Sequence, residues 1–394
     1  MAFLLSSKNV FEYLSRHGLC TQEKQTLDKI EPKPAKNFNL LVSLPESGKL
    51  LVKQERFNSD GETAGEFLRE WRIQQFLRSF PEVSHLSYWL PQVLHFDAEN
   101  SILVVNYLDD RCNLGEFYGK EQIFPTAIAA TVGAMLAEVH RTTLDSQEYR
   151  DFFTGSSKGA PLNLPLYLKQ GLERISPEIF ALVPAEGLKF FALYQRYDSL
   201  GKAIAELSDA FEPCCLTHND LKLNNILLAN DWEQAATTAV LSPDLRLIDW
   251  ERSGWGDPAF DLGAIVTSYL IVWLGSLVVS KSIALEEALR LSMTPLESIQ
   301  PSIAALVSTY LARFPEILER RPDFLQRVMQ FSGLGLIQAI QSTIEHQKSF
   351  GNTGICMLQV AKTLLCRPQA SISTVFGIEE SELTRRSGAV VGRV

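Results

Sequence analysis

Residues 216–228 read LTHNDLKLNNILL, and no other stretch limits the possible folds of this chain so tightly. A histidine, an acid, a lysine and asparagines stand between apolar ends that pattern as buried. An interior segment of this kind must give nearly every polar group a partner, so its surroundings have to be built for it. Within it His218, Asp220 and Asn225 form the spacing H-x-D-x-x-x-x-N. Further on, past a polar insertion, LRLIDWERSGWGDPAFDLG brings an apolar strand up to Asp249, with Asp257 and Asp261 following.

The rest of the chain can supply such surroundings. It has 394 residues, 46% apolar and 21% charged, which is enough for a large core. The net charge of −9 gives no basic face and argues against duplex nucleic acid as a partner, while leaving cationic partners open. Six cysteines (Cys20, Cys112, Cys214, Cys215, Cys356, Cys366) show no CxxC pair, so they read as reduced, mostly buried thiols of a cytoplasmic protein. The start MAFLLSSKNV lacks the basic region and the long apolar run of a secretion signal. The apolar run Ala264 to Val279 is shorter than the roughly 20 residues of a spanning helix. It reads as a buried core helix, with no membrane partner expected.

Two textures divide the chain. After a short helix ending at Gly18, residues 38–56 read FNLLVSLPESGKLLVKQER, two apolar runs around a Pro-Glu-Ser-Gly turn, which predicts a hairpin. In GETAGEFLREWRIQQFLRSF, residues Phe67, Leu68, Trp71, Phe76 and Leu77 make a helical face. PQVLHFD and SILVVNYL follow as strands joined at Ala98-Glu99-Asn100. Beyond Leu108 the pattern is mostly helical: AIAATVGAMLAEVHR, then residues 188–210 as one helix, then several helices from Pro258 to about Leu365. Residues 142–187, rich in Gly, Pro and Ser, read as an irregular insertion, and the tail SELTRRSGAVVGRV as loose.

Phosphoryl transfer needs a carboxylate to orient an attacking hydroxyl, and oxygen ligands to hold Mg²⁺ against the phosphates. Asp220 suits the first task; Asn225 and Asp249 suit the second. Order, spacing and apolar flanks of HNDLKLNNILL and LIDWERSGWGDPAFDLG together resemble the aminoglycoside phosphotransferase and choline kinase-like family, over roughly residues 36–280. The resemblance implies an α+β, two-lobed protein kinase-like fold. A small antiparallel-sheet N-lobe (residues 1–108) would bind nucleotide, and a large helical C-lobe (residues 109–394) would carry the catalytic loop and the acceptor site. It implies ATP and Mg²⁺ as cofactors, Lys53 on the α- and β-phosphates, Glu70 as the partner of Lys53, and Asn106-Tyr107-Leu108 as the hinge that meets the adenine edge. Lys222, two residues past Asp220, matches a lysine of protein serine/threonine kinases that contacts the transferred phosphate.

Some positions depart from the family. Leu223-Asn224 replaces Pro-Gly before the metal asparagine, and a left-handed Asn224 would preserve the turn. The phosphate-covering loop around KIEPKPAKNFN has no glycine. ESGKL is not a P-loop, since the preceding glycine and the following Ser/Thr are missing. The short run from Asp249 to Asp261 favours a small-molecule acceptor (an amino-sugar, amino alcohol or related metabolite) over regulated protein kinases. Other readings stay open: a kinase for Ser/Thr of a peptide in natural-product biosynthesis, an inactive nucleotide-binding pseudokinase, and a nucleotidyl transferase. His218 is expected to brace the loop, Asp261 to anchor its backbone, and His95 and His140 to be satisfied structural histidines. Trp250, Trp255, Tyr269 and Trp273 fit core packing, with an aromatic wall for a cation as the competing reading.

Overall fold

The computed structural model describes residues 3–20, 29–44, 48–155, 184–233, 244–279, 287 and 290–384. It begins with a short helix α1 (Val10–Arg16) and continues into strands β1 (Ile30–Pro32), β2 (Phe38–Leu44) and β3 (Gly48–Gln54). Helix α2 (Glu66–Ser79) follows, then β4 (Val93–Asp97) and β5 (Ile102–Asn106). These strands form one antiparallel sheet in the order β1-β2-β3-β5-β4, in a register that sets Leu41 opposite Leu51 and Val52 opposite Val104. The hairpin is where the sequence places it, although its turn residues 45–47 lie outside the described residues. Strand β1 was not anticipated; its Ile30 and Pro32 sit inside the stretch read as a covering loop, which is thereby reduced to residues 33–37.

Alternation along the strands sorts the side chains onto two faces. Leu40, Val42, Leu50, Val52, Ile102 and Val104 are buried against Val10, Phe11, Tyr13 and Leu14, so α1 closes the outer face. Each such side chain contributes about 1.5–3 kcal/mol by leaving water. Leu103, Val105, Val93 and the partly buried Leu51 turn inward toward Phe67 of α2, and Lys53 projects from the same face. The apolar face foreseen for α2 is corrected here. Leu68 and Trp71 are only partly covered, while Glu66, Arg69, Glu70 and Ile73 are buried. The helix faces a polar cleft as well as a core, and its charges find partners there instead of solvent.

The remainder is helical apart from two small sheets. In chain order it comprises β6 (Arg111–Asn113), α3 (Leu114–Glu121), α4 (Thr126–Thr143), α5 (Gln147–Thr154), α6 (Ala185–Tyr194) and α7 (Asp198–Asp209). Then come β7 (Cys215–Thr217), β8 (Ile226–Ala229), β9 (Leu245–Leu247), β10 (Gly254–Gly256) and α8 (Pro258–Gly275). The last elements are α9 (Leu296–Arg313), α10 (Glu316–Arg320), α11 (Phe324–Gln347), α12 (Asn352–Cys366) and α13 (Pro368–Phe376). The small sheets are β7 with β10, and β6-β8-β9. At Gly256 a glycine is required by the neighbouring Thr217 side chain: a Cβ there would lie 2.1 Å from the Thr217 hydroxyl.

Several expectations change. Residues 188–210 form two helices, because the chain turns at Gln195 to Tyr197 before Asp198 opens α7. The supposed irregular insertion starts with α5, capped by the Ser146 side chain on the Tyr149 amide; residues 156–183 of it lie outside the described residues. Helices extend past Leu365 into α13, and Leu383 of the supposedly loose tail is fully buried. Helix α8 is long and apolar enough by length and composition to cross a membrane, yet 72% of it is buried within the fold. Trp250, Trp255, Tyr269 and Trp273 are all buried in the main core, as packing requires. All six cysteines carry free thiols, three of them buried.

Candidate active site

The site forms where the inner sheet face, α2 and the two small sheets meet. Lys53 lies at the middle of the sheet, paired through β3 with Asn39 and Leu103. Its Nζ is 3.5 Å from Glu70 Oε2, 3.1 Å from Asp249 Oδ1 and 5.7 Å above the Phe67 ring. Burial works against the Lys53 ammonium, but Glu70, Asp249 and Glu251 outweigh it and hold its pKa above that of an ordinary lysine. Burial raises Glu70, with Lys53 opposing and Asp249 adding to the rise. Burial would raise Asp249 too, but Lys53, with Lys222 and His218, more than offsets it, leaving that carboxyl below its usual range. Glu251 is pushed up to about 8, first by burial and then by the charges of Asp249 and Glu66.

The loop between β7 and β8 is hung from helix α8. Asp261 accepts hydrogen bonds from the His218 amide at 2.7 Å and the Asn219 amide at 2.8 Å. Behind it, buried His140 bridges Asp261 Oδ2 at 3.2 Å and the Tyr310 hydroxyl at 3.0 Å. His218 Nε2 donates to the Ile248 carbonyl at 2.9 Å, so its Nδ1 is the acceptor for the Asp220 amide at 3.3 Å. Both His218 and Asp261 therefore brace backbone, as expected. His95 does not match its expectation, since its buried Nε2 has no hydrogen-bond partner among the described residues. The left-handed residue of the loop is Asn219, φ +63°, and not Asn224, which lies in a 3-10 turn over Leu223–Asn225. Asn219 is held there by Thr217 Oγ1 on its Oδ1 and by its own Nδ2 on the Arg252 carbonyl.

These constraints present Asp220 with its carboxylate between two cations. Lys222 Nζ donates to Oδ2 at 2.9 Å, and Arg252 Nη1 lies 3.9 Å from Oδ1. Asn225 Nδ2 donates to the Asp220 carbonyl at 2.9 Å, which turns the amide oxygen the other way. The Asn225 carbonyl accepts the Ile248 amide at 3.0 Å and so ties this loop to the strand that delivers Asp249. Asp249 is left-handed at φ +69°, next to a short 3-10 turn over Trp250–Arg252.

A cavity of about 260 Å³ opens beside this cluster. Leu51, Val105, Leu227 and Ile248 make its apolar walls; Lys53, Glu70 and Asp249 make one end, and Asn106, Tyr107 and Leu108 another. The amides of Asn106 and Tyr107 are occupied by the carbonyls of Gln92 and Lys49, at 3.1 and 2.9 Å. Asn113, Glu116 and Asn224 line it as well.

The fold thus brings together Lys53, Glu70, Asn106, Tyr107, Leu108 and Asp249 around one cavity, and Asp220, Lys222 and Asn225 on the adjoining loop. Sequence reasoning missed Arg252, Arg69 and Glu55. Glu55 is buried and accepts the Glu66 and Phe67 amides, capping α2 from another element. The segment between β1 and β2 is tied to the same helix: Lys36 and Asn37 both bond Glu66. No spacing rule links these residues, because each bond joins different elements of the fold.

A sequence profile of the phosphotransferase enzyme family matches residues 34–291, more than half of the chain. Among solved structures, an ADP-bound aminoglycoside phosphotransferase shares 16% identity at a TM-score of 0.49, covering 91% of this chain and 98% of that one. Choline kinase from Cryptosporidium parvum Iowa II shares 13% at 0.49, covering 94% and 98%. Choline kinase LicA from Streptococcus pneumoniae shares 15% at 0.43, covering 91% and 98%. No curated protein matches the chain.

Proposed function

The chain belongs to the phosphotransferase enzyme family, and on that premise we propose that it transfers the γ-phosphate of ATP, held with Mg²⁺, to a hydroxyl of a small molecule. The carrying observation is the Lys53 ammonium set between Glu70 and Asp249, with Asp220 presented on the adjoining loop. In this reading residues 1–108 form the nucleotide lobe and residues 109–394 the acceptor lobe. The acceptor class is the one the resemblance implies, an amino-sugar, amino alcohol or related metabolite.

The donor set suits a nucleotide-bound hard cation. Asn225 and Asp249 offer only oxygens toward a ligand, which is hard-cation chemistry, and the Asn225 amide is already oriented by its bond to the Asp220 carbonyl. Nucleotide-bound Mg²⁺ would supply charge neutralisation on the phosphates. Asn225 and Asp249 would hold it. Lys53, held by Glu70, would meet phosphate oxygens from its place beside Asp249. The hinge carbonyls and the Leu108 amide would meet the base edge. Asp220 orients the acceptor hydroxyl and takes its proton, worth about 10²–10⁴-fold. Lys222 and Arg252 stand beside that carboxylate, where charge develops.

The test is ADP release from Mg-ATP over a panel of aminoglycosides, choline-like amines, hydroxylated metabolites and hydroxyl-bearing peptides. Stimulation by one small-molecule class, lost in Asp220→Asn, is the expected result. Stimulation by peptides alone would replace the acceptor class. Tight Mg-ATP binding with no turnover would favour a regulatory module, and release of pyrophosphate instead of ADP would mean nucleotidyl transfer.

A further inference from the structure

Arg69 precedes Glu70 on α2 and is itself buried. Its Nε donates to the Glu251 carbonyl at 2.8 Å and its Nη1 to the Ala64 carbonyl at 3.2 Å. The first bond crosses the cleft. It joins the helix that carries the partner of Lys53 to the turn that carries Asp249.

That turn has reason to need an outside hold. Asp249 sits at φ +69°, ψ +52°, a left-handed conformation that a residue with a Cβ keeps only when it is held there. Bonds internal to the turn, Trp250 Nε1 to the Leu247 carbonyl at 2.9 Å and Ser253 Oγ to the Trp250 carbonyl at 2.7 Å, fix Trp250. They do not reach the Glu251 carbonyl, two residues past Asp249. Arg69 does, with a charged donor on a peptide oxygen.

A strut needs a fixed far end, and α2 is fixed at both ends. Glu55 caps its first amides. At the other end Phe76 is fully buried among Phe80, Tyr149 and Phe153, with ring centroids 4.9–5.2 Å away, and Arg72 bonds the Phe152 carbonyl at 3.3 Å. Phe76 thus belongs to the core of the helical part although its helix packs on the sheet.

We propose that Arg69 is a positioning residue for metal binding: by holding the Glu251 carbonyl it sets the Asp249 carboxylate for Mg²⁺ and makes the metal site depend on the placement of helix α2. This rests on the reading of Asp249 as a Mg²⁺ ligand. Groups that only orient a ligand are worth about 10–100-fold in metal affinity, and Arg69 would act in that range.

The experiment is calorimetric binding of ADP with and without Mg²⁺ to the full chain, for wild type, Arg69→Met, Arg69→Lys and Asp249→Asn. In wild type Mg²⁺ tightens ADP binding, and Asp249→Asn removes that gain. Arg69→Met is expected to weaken Mg-ADP binding about tenfold or more, with metal-free ADP binding within about twofold of wild type. Arg69→Lys, which retains a donor on a flexible stem, is expected to recover part of the gain, and it carries the test if the methionine variant does not fold. An unchanged Mg²⁺ gain in the Arg69 variants, or equal loss with and without metal, overturns the proposal while leaving the metal assignment standing. An unchanged gain in Asp249→Asn overturns both.

Discussion

The two sides of the cleft hold their charges in opposite ways. On the sheet side, the Lys53 and Glu70 side chains are 11% and 4% exposed and pinned by strand register, the Phe67 ring and a capped helix. On the loop side, Lys222 and Arg252 are 48% and 40% exposed and reach Asp220 from solvent. Buried charges are expensive to separate and so keep one geometry. Exposed ones cost little and can follow a reacting group. The sheet side is therefore a fixed cradle and the loop side an adjustable one, with Asp220 rigid only in its backbone.

The largest effect falls on the loop side, on rate alone. Asp220→Asn should lower kcat by about 10²–10⁴-fold, with Mg-ADP affinity by calorimetry within about twofold of wild type; a parallel loss of binding would end the division of labour. On the sheet side both stability and binding should suffer. Lys53→Met leaves Glu70 buried without a counter-charge, a loss of about 3–5 kcal/mol at most. The loss is lessened because burial already favours the protonated Glu70 carboxyl. Urea unfolding checks this, and the double variant Lys53→Met/Glu70→Leu should regain most of the stability but none of the ATP binding.

Lys222→Met and Arg252→Gln test the adjustable side. Each should change stability by about 0–1 kcal/mol, while kcat falls about tenfold as the charge beside Asp220 is lost. A stability loss as large as that of Lys53→Met would erase the contrast.

The smallest effect concerns pH. The Glu251 pKa of about 8 lies above the roughly 4.3 of a free glutamate. Between those values the folded protein keeps a proton that the unfolded chain has released. Stability from this group is complete below the lower value and is lost as pH rises through the upper one. In metal- and nucleotide-free solution, Glu251→Gln should flatten the decline of the urea midpoint between pH 5 and about 8; an unchanged slope would place Glu251 in a wetter site.

Much of this site was legible before any fold was known, because its motifs are local. His218, Asp220 and Asn225 lie within one loop, and Asp249 ends an apolar strand, so spacing and flanking alternation place them. Lys53 and Glu70 were placed only through the family pattern, since a lone lysine in a strand and a lone glutamate on a helix carry no signal. Arg69, Arg252 and Glu55 were not legible at all. Arg69 meets Glu251 across 182 residues and Glu55 caps α2 from the residue after β3, so periodicity along α2 alone does not reveal that its charged residues are buried. The left-handed residue was misplaced at Asn224 for a related reason: which asparagine takes φ > 0 depends on the amide geometry that Asp261 imposes from α8.

By itself the sequence determined which chemistry is available: an acid, an amide and a second acid at fixed local spacing, on elements whose apolar periods decide strand or helix. Only the tertiary structure decided how charged groups buried in that cleft are paired and which element holds which turn. Local patterning arises from covalent geometry and side-chain direction along one element. The pairing of buried charges is instead settled by desolvation, which acts only when distant elements exclude water together.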